Sequence, residues 1–268
     1  MSRIAVTNLT KVYGDDTIAL DDVSFEIDEG EFVIVLGVSG SGKSTLLRCL
    51  SSLTSPTEGT IEIDGDEVTQ THDDIAMIFQ QHNIIGQMTA YSNALSGSLS
   101  RSDFVESVFQ LQDSAEKYRA LEALETVGLL EEAQSKARNM SGGQQQRVGI
   151  ARALVQEPRV MLADEPVASL DPGSSQQVMQ YLLEASVDRD LTTMISLHEV
   201  NLARKFGERF IGLRDGKKVF DGYSEDFTID IIDEIYGDID IDGIVAEDGA
   251  DTNETETGKR ATKGGSAV

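Results

Sequence analysis

Phe32-Val33-Ile34-Val35-Leu36, followed at once by Gly37-Val38-Ser39-Gly40-Ser41-Gly42-Lys43-Ser44-Thr45, decides the fold. Five apolar residues in a row read as a strand buried on both faces. The next nine match G-x-x-x-x-G-K-[ST], a turn whose glycines let backbone N–H groups converge on phosphate oxygens. A helix must begin there, and its N-terminus adds partial positive charge. In that geometry Lys43 reaches terminal phosphate oxygens and the Ser44 hydroxyl can ligate Mg2+. A Gly/Ser turn without a ligand is the plainer alternative, but the strand before it and the helix after it argue against that.

Further short apolar runs lie outward from this stretch at Ile75–Phe79, Val160–Ala163, Thr193–Leu197 and Phe210–Leu213. Helical patterns separate many of them, the alternation of a mostly parallel sheet with helices on its faces. Residues 2–7 and 18–28 alternate as half-buried strands, and Ile61–Gly65 adds another that ends in a turn. Residues 103–138 break the alternation. Tyr118, Leu121, Leu124 and Val127 recur at helical spacing, and Gly128 stops that helix. The spacing predicts a helical subdomain over about 85–150, inserted in an α/β core. Residues 226–240 read as a short helical appendage, and residues from about 246 as a disordered acidic tail.

Two more segments carry chemistry. Val160-Met161-Leu162-Ala163-Asp164-Glu165 delivers adjacent carboxylates at the end of an apolar strand. Asp164 suits Mg2+ held through water, and Glu165 suits the activation of an attacking water. In Asn139-Met140-Ser141-Gly142-Gly143-Gln144-Gln145-Gln146-Arg147, Ser141 and Gln144 have capping-box spacing. That predicts a helix start with two glycines, a second place for an anion.

The chain has 268 residues, 47 acidic against 22 basic, a net charge of −25. Residues 224–268 hold thirteen carboxylates and three basic groups, so about ten of the excess charges lie there. Such a balance argues against nucleic acid as a partner. It suits a high-salt cytoplasm, where at ~1 M salt the Debye length is ~3 Å and like surface charges stop repelling. Cys49 is the sole cysteine, which fits a reducing compartment. The first residues have no apolar core of a signal peptide. No run of about 18 apolar residues is present to cross a bilayer.

The three motifs, in this order and spacing, resemble the ATP-binding subunits of ABC transporters. The resemblance implies a P-loop NTPase core, a mostly parallel sheet with an antiparallel β subdomain, plus the inserted helical signature subdomain, over residues 1–245. It makes Ser141, Gly142, Gly143 and Gln144 the signature that caps ATP held by a second copy. It makes Gln80 the Q-loop glutamine at the Mg2+ site, although Gln81 is adjacent and only the pattern separates them. Ser169 and Asp171 fall in the D-loop, His198 is the switch histidine at the γ-phosphate, and Tyr13 is the aromatic that stacks on adenine. On their own, His198 and Tyr13 would read as structural residues at strand ends. Met140 stands where the family usually has Leu.

Implied partners are a second copy, transmembrane permease subunits that meet residues 81–100, and, indirectly, an extracellular substrate-binding protein. The implied place is the cytoplasmic side of a cell membrane. The flanks Met77–Asn83, Leu162–Pro172, Ser196–Ala203 and Ile211–Gly222 resemble phosphonate-import ATP-binding subunits. His82, where that family tends to have Phe, and Val38, where many have Pro or Ala, depart from the pattern. Phosphate, phosphite or another small solute is the alternative cargo. A soluble ABC ATPase of repair or translation fits less well, because one cassette and about 95 intervening residues leave no long coiled coil.

Overall fold

A computed structural model describes residues 4–14, 16–70, 72–80, 83–100 and 114–237. Gln81, His82, the expected domain end at 245 and the expected tail 246–268 lie outside the described residues.

The strands are β1 (Ile4–Tyr13), β2 (Thr17–Ile27), β3 (Phe32–Leu36), β4 (Glu58–Ile63), β5 (Asp66–Glu67), β6 (Ile75–Ile78), β7 (Val160–Asp164), β8 (Thr192–Leu197), β9 (Arg209–Arg214) and β10 (Lys217–Tyr223). The helices are α1 (Lys43–Leu50), α2 (Ala90–Leu95), α3 (Ser114–Thr126), α4 (Gly142–Val155), α5 (Pro172–Asp188), α6 (Val200–Phe206) and α7 (Ile229–Tyr236). Two sheets form. The larger runs β10-β9-β3-β8-β7-β6. Its pairs from β6 to β9 are parallel, and β10 closes the edge antiparallel. The smaller, β2-β1-β4-β5, is antiparallel throughout.

Every residue of β3, β7 and β8 is buried, as expected for central strands covered on both faces. One hydrophobic cluster joins the sheets: Val6 and Phe25 from the small sheet, Val35 and Leu162 from the large one, and Leu46, Leu47 and Leu50 of α1. The helix opened by Lys43 is thereby fixed between both layers, which sets the aim of the loop before it.

The structure changes four expectations. Strand β1 continues past residue 7 to Tyr13. Register shifts near Leu9 and Lys11, with Asn8 at φ 49°, break the alternation that would have marked its second half. Strand β6 ends at Ile78, one residue before Phe79. On α3 the buried face is Ala120, Ala123 and Leu124, while Tyr118 and Leu121 are 70% and 37% exposed. The small alanines let α3 pack close to α2 and α4, so the seam follows side-chain size more than hydrophobicity. Gly128 does end the segment, at φ +64°. Helix α4 runs on to Val155, beyond the expected limit of 150.

Candidate functional site

The chemistry gathers at the carboxyl ends of β3, β7 and β8, where open α/β sheets bind ligands. Between β3 and α1 the loop turns through Gly37 (φ 154°), Gly40 (φ 83°) and Gly42 (φ 106°). A Cβ on Gly37 would sit 2.4 Å from Ser41 Oγ, and one on Gly42 2.5 Å from the Ala19 carbonyl oxygen. Both positions require glycine for space as well as for conformation.

The Lys43 side chain folds back under the loop. Its Nζ donates to the carbonyls of Gly37 (2.7 Å) and Val38 (3.1 Å) and lies 3.7 Å from Glu165 Oε1. It is 4% exposed. Burial pulls its pKa below the ordinary lysine value, and the Glu165 and Asp164 charges partly offset this. Ser44 Oγ donates to Asp164 Oδ1 at 2.8 Å, although the two residues are 120 positions apart.

Asp164 ends β7 and is buried; Glu165 follows at φ 46°, a left-handed conformation that costs a non-glycine residue about 1–2 kcal/mol. Ser196, fully buried on β8, ties the two together. Its Oγ donates to Asp164 Oδ1 (2.9 Å) and accepts from the Glu165 backbone N–H (2.9 Å). Strain is held here by a specific partner, a pattern that clusters at functional sites.

Ser39, Gly40, Gly42, Lys43, Ser44, Thr45, Gln80 and Glu165 line one cleft of about 310 Å3 together with Ala19. Gln80 also borders a second recess that reaches Asp164. Those oxygen donors, the Ser44 hydroxyl, the Asp164 carboxylate and the Gln80 amide, form a hard set that suits Mg2+.

Other expected residues stand elsewhere. Ser141 caps α4 with both capping-box bonds: Gln144 N–H to Ser141 Oγ at 3.2 Å, and Ser141 N–H to Gln144 Oε1 at 2.9 Å. Gly142 and Gly143 follow, and a Cβ on Gly143 would meet Ser174 of α5 at 3.1 Å. Asp171 caps α5, accepting from the Ser174 N–H at 3.0 Å, and the Ser174 hydrogen bonds hold its carboxyl below the usual carboxylate range. Ser169 adopts φ 71° just before it. Tyr13 ends β1 half exposed, with Lys11 Nζ 5.0 Å above its ring. His198 follows β8 with its side chain exposed. Ser141 to Gln144, Ser169, Asp171, His198 and Tyr13 are thus not in the lining of this cleft.

A sequence model described as "ABC transporter" matches residues 20–168. The chain belongs to the ABC transporter family. Its curated relatives include the phosphonates import ATP-binding protein PhnC of Halobacterium salinarum, 61% identical over 96% of this chain and 91% of the relative. Another is PhnC 2 of Haloquadratum walsbyi, 55% identical over 96% of this chain and 90% of that one. The first comes from a halophile, in line with the net charge of −25. Among solved structures, a dimeric post-hydrolysis ATP-binding cassette bound to ADP and Pi shares 36% identity. It aligns at TM-score 0.71 over 84% of this chain and 100% of that one. The fold is that of an ABC ATPase, and ATP is its nucleotide.

Sequence reasoning missed Ser196 and Ala19. Ser196 is legible in retrospect as a small polar residue flanked by Ile195 and Leu197 at the end of β8, beside the Asp164 end of β7. Ala19 comes from β2, distant in sequence, and only packing of the two sheets brings it to the cleft. Among the described residues no helix is long and apolar enough to cross a membrane.

Proposed function

We propose that this ABC ATPase is the ATP-hydrolysing subunit of an importer for phosphonate or a related oxyanion, working as a pair of copies on the cytoplasmic face of a separate permease. One observation carries the catalytic part: Lys43 and Glu165 stand within ion-pair distance and Ser44 and Asp164 within hydrogen-bond distance, with Lys43, Ser44 and Glu165 lining one cleft and Asp164 the second recess that Gln80 shares with it. The names of the relatives support the cargo, at 61% and 55% identity.

In this reading, Gly37 to Thr45 cradle the triphosphate. Lys43 gives up carbonyl partners of its own loop for phosphate oxygens, a charge-assisted contact inside a low-dielectric site. Ser44, Asp164 and Gln80 would hold Mg2+, which when bound would neutralise charge on the β- and γ-phosphates. Glu165 orients and deprotonates the attacking water. Its backbone is fixed by Ser196, so the carboxylate needs no reorganisation as the reaction begins. His198 contacts the γ-phosphate and Tyr13 stacks on adenine.

Ser141 to Gln144 of the partner copy complete the site. Two helix N-termini then face one triphosphate, each attracted to the charge between them. Ser169 and Asp171 lie at the seam between copies. Helices α2, α3 and α4 form the helical subdomain, to Val155, and residues 83–100, the described part of the expected 81–100, face the permease. Exposed Ile85 and Leu99 suit such a contact.

The test is Glu165→Gln, which keeps shape and hydrogen bonding but removes the base. ATP binding should persist while turnover falls by about 10^2-fold or more. Full turnover in that variant would refute the role of Glu165.

A further inference from the structure

Helix α7 reaches the loop that follows β8. Ile235 seats where Gly212 of β9 has no side chain: a Cβ there would stand 2.5 Å from Ile235 Cδ1. Arg214 Nη1 donates to the Glu234 carbonyl at 2.8 Å, fixing the last turn. The next residue but one, Tyr236, is half-buried and directs its phenol toward the loop after β8. Its Oη donates to the His198 carbonyl at 3.2 Å. Burial pushes the phenol pKa up, so the hydroxyl stays a donor throughout the working range.

We propose that Tyr236 is a positioning residue for ATP hydrolysis: its hydroxyl, donated to the His198 carbonyl, clamps the histidine loop to α7 and through it to β9. The proposal rests on the reading that His198 works at the γ-phosphate. Seated on β9 by Ile235 and by the Arg214 bond, α7 is the fixed end of the clamp. Residues 198–199 are exposed after a fully buried β8. A single hydroxyl therefore limits where the imidazole can swing, without touching substrate itself.

Two features set this apart from mere helix docking. Ile232, Ile235 and the Arg214 bond already seat α7 against the sheet. The phenol ring supplies packing that phenylalanine would keep, so only the hydroxyl reports on the clamp.

The test compares Tyr236→Phe, His198→Ala and the double variant in the full-length chain, with steady-state ATPase and ATP affinity measured under the same high-salt buffer. Tyr236→Phe should lower kcat roughly three- to tenfold with KM for ATP within about twofold, as expected for loss of one orienting hydrogen bond. In the His198→Ala background the same change should have no further effect, because the clamp then holds nothing that reacts. Arg209→Gln is the structural control: it breaks the ion pairs to Glu31 and Asp221 at the far end of β9 and should lower the melting temperature while leaving kcat within about twofold. Equal losses from Tyr236→Phe in both backgrounds, or an Arg209→Gln loss as large as that of Tyr236→Phe, would overturn the proposal. If His198→Ala is impaired and Tyr236→Phe matches the unaltered chain, the clamp alone fails. If His198→Ala retains full turnover, the reading of His198 fails and takes the clamp with it.

Discussion

Ser196→Ala removes one oxygen from the interior and should weaken both the fold and the chemistry. That oxygen donates to a buried carboxylate at 2.9 Å and accepts from the Glu165 amide at 2.9 Å. A hydrogen bond to a charged group is worth about 1.5–3 kcal/mol, and an amide left unsatisfied costs about 1–3 kcal/mol. Two effects reduce the total. Asp164 keeps its bond from Ser44, and the Glu165 side chain is 22% exposed, so water can reach the neighbourhood. A net loss of about 2–3 kcal/mol is expected, which for a domain of this size lowers the melting temperature by roughly 5–10 °C.

The catalytic effect follows from geometry. Glu165 sits at φ 46°, and its amide bond to Ser196 is what the structure offers to hold that strained turn. Released, the carboxylate relaxes away, and a shift of about 1 Å can cost on the order of 10^2 in rate. Nucleotide affinity should change little, since Lys43 and the loop are untouched. Scanning calorimetry, denaturant titration and steady-state ATPase assays read the three quantities. A variant whose melting temperature and kcat are both unchanged refutes the reasoning.

Three further outcomes are expected. Ser141→Ala should cost about 1 kcal/mol in stability through the lost cap, yet reduce ATPase activity far more than that loss explains, measured by melting and turnover together. Lys43, whose pKa burial lowers, binds a proton less readily folded than unfolded, so stability of the nucleotide-free chain should rise as pH climbs from the folded pKa toward 10.5. ATP affinity, which needs the charged form, should fall over the same window in calorimetric titrations. Melting temperature and ATP affinity should both rise with KCl from low salt, because screening relieves the repulsion of a chain at net −25, and a monotonic fall in either contradicts that account.

Most of the site was legible because its chemistry is local in sequence. The run Phe32 to Thr45 specifies strand, turn and helix in fourteen residues, and the structure follows it residue by residue. The capping box at Ser141 is likewise a three-residue relation, and both of its bonds form. Non-local relations were harder. That Ser44 meets Asp164 follows from β3 and β7 flanking β8, which no local pattern encodes. Ser196 looks like a neutral spacer until β8 is placed beside β7. The second half of β1 was hidden by bulges, and the buried face of α3 by alanines that outweigh Tyr118 and Leu121. Tyr236 becomes visible only when α7 folds back on β9.

The central claim is that one triphosphate joins two copies, the phosphate loop of one facing Ser141 of the other. Sedimentation of the Glu165→Gln chain in high KCl, with and without saturating ATP and Mg2+, tests it most directly. The account predicts one chain's mass without nucleotide, twice that mass with ATP, and return to the single mass when Ser141 is also replaced by Arg. A Glu165→Gln chain that binds ATP and still sediments as a monomer, or a dimer indifferent to Ser141→Arg, contradicts it.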